Sequence, residues 1–244
     1  MISKQRRSRG QVTLARALSK LGLTSRSQAA ELIRAGRVAV NGEIVRRADR
    51  WLDPKTDNIA VDSAIARPAA RRYLMMHKPA GFVTTRSDER GRKTVYDLLP
   101  EEFSRCFPVG RLDRDSSGLL LFTNDTRFGD YVTNPSTKMP KTYLVRLDAV
   151  MNDAAIKRLE KGLATSNGIK YLPAHVSKTD QPCEYAVTIE EGKNRQVRRM
   201  MSEVGRVVLR LQRSSIGRVT LGNLPEGKSR ELTPGELGLL GWHS

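Results

Sequence analysis

Cysteine is nearly absent: Cys106 and Cys183 are the two in 244 residues, and neither has a neighbour at zinc or redox-motif spacing. A disulfide-stapled secreted scaffold is thereby excluded, and two reduced, partly buried thiols of a cytosolic protein are expected. Histidine is also scarce, at three residues, so no His/Cys set at ligand spacing is there to hold a metal. No apolar stretch approaches the ~20 residues of a membrane helix. No signal-peptide core follows the first residues, and no long amphipathic helix with exposed aromatics is evident. Repeats and low-complexity tracts are missing too. What remains reads as a soluble globular chain, 39% hydrophobic and 28% charged, long enough for one large domain or for a small and a medium one.

Acid is the scarcer charge. The chain carries 43 Lys and Arg against 26 Asp and Glu, a formal net charge of +17. The excess is uneven: residues 1–72 hold 16 basic against six acidic side chains, the remaining residues 27 against 20. Such asymmetry points to a polyanionic partner, met by a basic nucleic-acid-binding front end joined to a more balanced body. The Arg-rich start, residues 1–11, reads as a flexible basic arm touching phosphate without sequence preference.

After the arm, Leu14, Ala17, Leu18 and Leu21 recur at helical spacing and Gly22 stands where a helix stops. Thr24 or Ser25 is placed to cap a second helix with the apolar face Ala29, Leu32 and Ile33, closed by Gly36. Val38-Ala39-Val40 then runs into Asn41-Gly42, a strong hairpin signal. Arg16, Lys20, Arg26, Arg34 and Arg37 fall off the apolar positions. Singly each is an ordinary solvated side chain; together, with few acids between, they are expected to line an RNA-binding surface. Residues 66–72 lack a core pattern and read as a linker.

The body reads as many strands with interspersed helices and no regular βαβ period, an α+β architecture around a mixed, mostly antiparallel sheet. Strands are expected at Tyr73–Met76, Gly118–Thr123, Tyr143–Leu147, near Ala174–Val176, at Tyr185–Ile189, Val207–Gln212 and Ile216–Leu221. A helix from about Arg195 to Val204 carries the stripe Val197, Met200, Met201 and Val204. Asp113 sits just before the buried run at Leu119–Phe122, on a loop a rigid strand would fix. An Asp beside Gly and Ser ordinarily makes a local turn hydrogen bond. A lone acid presented to a phosphate-rich partner calls for a further reason.

Residues 12–65 resemble the alpha-L RNA-binding module of small-subunit ribosomal protein S-four, through Leu23–Arg26, Ala29–Ile33 and Gly36-Arg37-Val38-Ala39-Val40-Asn41-Gly42. Residues 73–244 resemble the pseudouridine synthases, specifically the ribosomal-RNA branch with such a module in front. The matching strings are Lys78-Pro79-x-Gly81, Val109-Gly110-Arg111-Leu112-Asp113 with Gly118-Leu119-Leu120-Leu121, and Lys141-Thr142-Tyr143. They continue with Glu191-Gly192-Lys193-Asn194-Arg195-Gln196-Val197-Arg198-Arg199-Met200 and Val208-Leu209-Arg210-Leu211-x-Arg213 running into Ile216-Gly217. Thr126 stands where the family usually has Gly, and Asn134 where it has His; both lie outside the catalytic strings and bear on target choice.

The resemblance implies isomerisation of a uridine already inside RNA: the glycosidic bond breaks, uracil turns in the pocket, and carbon 5 rejoins the ribose. Nothing is oxidised and no group is donated, so no cofactor and no metal is expected. Asp113 would be the nucleophile and Arg198 its partner, keeping it ionised and aimed. Tyr143 would stack on the base, Leu211 would wall the pocket, and Arg111 with Arg114 would contact flanking phosphates. The target base is expected to flip out of its stack. The expected partner is ribosomal RNA or a pre-ribosomal particle, the large subunit slightly favoured, with no membrane, no obligate protein partner and a monomeric enzyme. Two other readings are weaker. A non-catalytic ribosome-assembly factor has no need of Asp113, Tyr143 and Arg198 together. A metal nuclease built on Asp113 and Asp115 wants further convergent carboxylates.

Overall fold

The computed structural model describes residues 10–24, 26–66, 69–165 and 168–243. Most of the basic arm and Ser25, one of the two expected caps, lie outside the described residues. The chain divides into two compact units, residues 1–71 and 72–244.

In the first unit the helices Leu14–Lys20 and Arg26–Arg34 pack their apolar positions together, burying Leu14, Ala17, Leu18, Ala29 and Ile33. A four-stranded sheet completes the core, in the order Glu43–Ile44, Val38–Val40, Ile59–Val61, Ala64–Ile65. Asn41 and Gly42 both take positive φ, as the tight hairpin between the first two strands demands. The unit is larger than two helices and a hairpin: Val12–Thr13 also pairs with Trp51–Leu52. The supposed linker is tied down where it is described, since Ala66 donates to Ile59 O and Ala69 to Leu21 O.

In the second unit a nine-stranded sheet runs His175–Lys178, Glu184–Ile189, Lys141–Leu147, Val208–Ile216, Ser117–Thr123, Tyr73–Lys78, Ser229–Glu231, with Val219–Thr220 and Phe107–Val109 paired beside this path. Every pairing in it is antiparallel but one. Ser117–Thr123 and Val208–Ile216 run parallel, Arg213 opposite Gly118. The fold is thus α+β with a mixed, mostly antiparallel sheet. Val207–Gln212 and Ile216–Leu221, expected as two strands, are largely one long strand, Val208–Ile216, with a turn after it. It stays continuous because its register against Lys141–Leu147 is adjusted by shifts rather than by a break.

All seven residues of Ser117–Thr123 are buried, as befits a strand with neighbours on both edges. Helix Gln196–Glu203 lays Val197, Met200 and Met201 against Val145, Val187 and Leu211. Asp125 caps helix Thr126–Thr133 by accepting from Arg127 N, and Asn152 caps Asp153–Glu160 by accepting from Ala155 N. The parallel seam is where the two halves of the sheet join, and the loop holding Asp113 feeds directly into it.

Candidate active site

Lys78 closes the strand Tyr73–Lys78 and is fully buried. Its ammonium donates to three carbonyls: Pro79 O at 2.9 Å, Asp113 O at 3.1 Å and Ser116 O at 2.7 Å. Burial pulls the lysine down to a pKa of about 8, against the opposing charges of Asp115 and Asp113. More stitches join the same two segments. Gly81 N donates to Arg114 O at 2.7 Å, and Thr84 Oγ1 donates to Leu112 O at 2.8 Å. The Lys-Pro-x-Gly string is therefore the clamp of the Asp113 loop. It grips the backbone and leaves the Asp113 carboxylate free, since no hydrogen-bond donor among the described residues reaches it.

The guanidinium beside that carboxylate belongs to Arg195, whose Nη1 lies 3.8 Å from Asp113 Oδ2. Arg195 takes left-handed backbone (φ +49°) just before helix Gln196–Glu203 and forks onto Asp115, with both bonds at 3.1 Å. Arg198, expected to pair with Asp113, is held elsewhere. Its Nη2 donates to Asp115 O at 2.9 Å, its Nη1 to Val208 O at 3.1 Å, and its Nε lies 3.3 Å from Asp115 Oδ2. The reason is local: Asp115, two residues on, offers both a carboxylate and a carbonyl to the helix. Burial pushes the Asp115 carboxyl up, but the Arg195 hydrogen bonds and the charges of Arg198 and Arg195 outweigh it and hold it below the usual range.

Asp113 opens onto a cleft of about 550 Å³ whose lining includes Tyr143, Leu211, Arg111, Lys141 and Arg213. Four of the expected site residues thus meet: Asp113, Tyr143, Leu211 and Arg111. Arg198 is not among the residues that line the cleft. On its other side the Asp113 loop borders a second cleft of about 390 Å³, where Arg90, Arg92, Arg111 and Arg114 are among the lining residues. Arg16, Lys20, Arg26, Arg34 and Arg37 belong to the first unit and are exposed there. Arg37 is engaged: Asp62 receives its Nε at 2.7 Å and its Nη2.

Comparison with known proteins gives the family of the chain. Residues 72–203 match the family model for RNA pseudouridylate synthase, and residues 12–55 match the S4 domain. An RNA pseudouridine synthase of Aquifex aeolicus is 36% identical over 235 residues, covering 94% of each chain. The ribosomal large subunit pseudouridine synthase B of Bacillus subtilis is 35% identical, covering 92% of this chain and 93% of its own. A pseudouridylate synthase crystal structure superposes with a TM-score of 0.69 at 31% identity, covering 94% of this chain and 99% of that one. The chain belongs to the RNA pseudouridylate synthase family.

It is an RNA pseudouridine synthase, an isomerase preceded by an S4 domain. The functional strings of this synthase are legible as structure: one clamps the loop, one carries the acid, one presents Tyr143, and one supplies the guanidiniums. Sequence reasoning named Lys78, Lys141, Arg195 and Arg213 only as members of strings, without roles. The signal for Lys78 was a lysine closing a strand that opens with the apolar run Tyr73–Met76, a position that burial tolerates only with partners; Arg213 shares its strand with Arg210 and gave no such signal. No signal separates Arg195 from Arg198, because Asp115 engages both and the loop geometry decides which guanidinium also comes near Asp113.

Proposed function

We propose that this synthase converts a uridine of large-subunit ribosomal RNA to pseudouridine, with Asp113 as the nucleophile. The observation that carries the reading is the Asp113 carboxylate itself: without a hydrogen bond among the described residues, its own carbonyl fixed by Lys78, and opening onto a cleft with Tyr143 and Leu211 in its lining. The volume, about 550 Å³, falls in the ~300–1,000 Å³ range of small-ligand sites and accommodates one flipped nucleotide. The base stacks on Tyr143 against the apolar wall of Leu211. Asp113 bonds to the anomeric carbon as the glycosidic bond to N1 breaks, and the released uracil anion turns in place. Carbon 5 then bonds to that same carbon as the bond to Asp113 breaks and frees the carboxylate. Carbon 5 gives up its proton with help from the Tyr143 hydroxyl while N1 gains one, so atoms balance without an added reagent.

The nuclease alternative spends Asp115 on a metal, yet its carboxylate is occupied by Arg195 and Arg198. The large subunit is favoured because the Bacillus subtilis relative is named for it. The enzyme is a cytoplasmic monomer whose first unit neutralises phosphates.

Carbodiimide-block primer extension on ribosomal RNA tests this in cells with the gene, without it, and with Asp113→Asn. One large-subunit stop is expected to vanish in the second and third strains. An unchanged map excludes the ribosomal target, and a stop that survives in the Asp113→Asn strain excludes the nucleophile.

A further inference from the structure

Arg213 is the most deeply placed cation of the cleft, with 5% of its surface exposed. Its Nε is anchored, donating to Leu119 O at 2.8 Å. Its Nη2 is buried and has no hydrogen-bond partner among the described residues. A buried charged donor without an acceptor is costly, and such an atom in a binding cleft marks where a ligand supplies the acceptor.

Its position says which ligand atom. Arg213 is the register partner of Tyr143 across the antiparallel pair, so the two side chains share one face of the sheet and start about 5 Å apart. A ring stacked on Tyr143 therefore turns an edge to Arg213. Lys141, two residues before Tyr143 on its strand, lines the same cleft. Burial and the nearby charge of Arg213 hold its pKa below the ordinary lysine value. Two cations, neither paired with a carboxylate among the described residues, favour an electron-rich acceptor. A phosphate does not suit the spot, since Leu211 and Ile216 are buried among the lining and an RNA phosphodiester stays hydrated.

On the reading of the cleft given above, we propose that Arg213 reads the flipped base, its Nη2 donating to the O4 carbonyl of uracil. The choice of O4 follows from depth. Asp113 works on the sugar end, with about a third of its side chain exposed, and O4 is the ring carbonyl farther from the ribose. Cytosine carries an amino group there and would aim a donor at a donor. Arg213 is thus the residue that discriminates uridine from cytidine.

The test uses a stem-loop RNA carrying the uridine found by the mapping experiment, and the same RNA with pyrimidin-2-one, which lacks O4, at that position. Equilibrium binding is measured with Asp113→Asn protein, which prevents turnover, with and without Arg213→Met. The pyrimidinone RNA is expected to bind roughly tenfold to a hundredfold more weakly than the uridine RNA, as for one hydrogen bond to a charged group. Adding Arg213→Met weakens the uridine RNA by that factor and leaves the pyrimidinone RNA unchanged. Equal affinity of the two RNAs for the Asp113→Asn protein overturns the proposal without recourse to any Arg213 variant. An equal loss on both RNAs overturns it in favour of a phosphate or packing role. Neither result touches the proposed function, which the mapping decides separately.

Discussion

The Lys78 ammonium and the Asp113 carbonyl oxygen lie 3.1 Å apart, so the acid of this site is positioned through its backbone. Lys78→Met removes the donor for three carbonyls at once. A displacement of about 1 Å at a reacting group costs on the order of 10²-fold in rate, and a fall of that size in kcat is expected, with KM little changed. The pH behaviour separates this from general damage. In the folded chain Lys78 has a pKa of about 8, below its ordinary 10.5, so between these values the unfolded chain binds more protons and stability rises with pH. The stability of the native protein relative to Lys78→Met should therefore climb between about pH 8 and 10.5, by at most about 3 kcal/mol. Activity should move the other way, because a neutral amine has two hydrogens for three carbonyls. Denaturant titrations and kcat against pH check both signs, and a relative stability that falls over this range contradicts them.

Gly118 sits at φ +107°, and a Cβ there would meet the Arg213 backbone at 2.3 Å to O and 2.5 Å to N. No side-chain motion relieves a clash with backbone in the one parallel pairing of the sheet. Gly118→Ala is expected to destabilise by more than about 3 kcal/mol, in the range of severe core overpacking. Thermal unfolding of the purified variant measures it, and a midpoint within a few degrees of the native one would show that the seam is looser than the packing implies.

Much of this was legible in sequence because periodicity reports burial. The stripe Val197, Met200 and Met201, the run Leu119–Phe122 and the helix Leu14–Lys20 all lie where their spacing places them. Short edge strands escaped: Ser229–Glu231 has no apolar alternation and exists because Tyr73–Lys78 offers it a free edge. The site divides the same way. Tyr143 and Leu211 meet because strand alternation fixes their faces, and Asp113 and Arg111 join them on a loop that Lys78 and Thr84 hold by its backbone. The Asp115 capture of Arg195 and Arg198 was illegible, since ion-pair choice among neighbours depends on loop geometry that no spacing encodes.

Arg198 joins the Asp113 loop to the strand Val208–Ile216 through two carbonyls, whereas Arg195 makes an ion pair with both side chains more than two-fifths exposed. Arg198→Ala is expected to lower kcat about 10²-fold through lost loop placement. Arg198→Lys should not restore it, because one ammonium cannot fork as a guanidinium does. Arg195→Ala removes a pair worth about 1 kcal/mol or less, a change of about fivefold at most. Single-turnover rates of the three variants check the ranking. A larger loss at Arg195 would make that residue, 3.8 Å from the acid, the working partner of Asp113.

In the first unit the basic side chains are not equivalent. Arg37 is chelated by Asp62, which also holds its own carboxyl below the usual range through the Arg37 hydrogen bond. Arg26 and Arg34 are exposed on their helix, and no carboxylate among the described residues is paired with them. A cation that already has a counter-charge releases fewer counterions on meeting phosphate. Each free phosphate contact contributes about 0.7–0.9 to the slope of log affinity against log salt. Replacing Arg26 and Arg34 with Ala should therefore flatten that slope by about 1.5 and raise KM. The single-turnover rate at saturating RNA should stay the same. Arg37→Ala should change the slope less than either, and Asp62→Ala, by releasing Arg37, should steepen it. Filter binding over a salt series decides: an Arg37→Ala effect as large as that of Arg34→Ala would mean that RNA displaces Asp62 from its guanidinium.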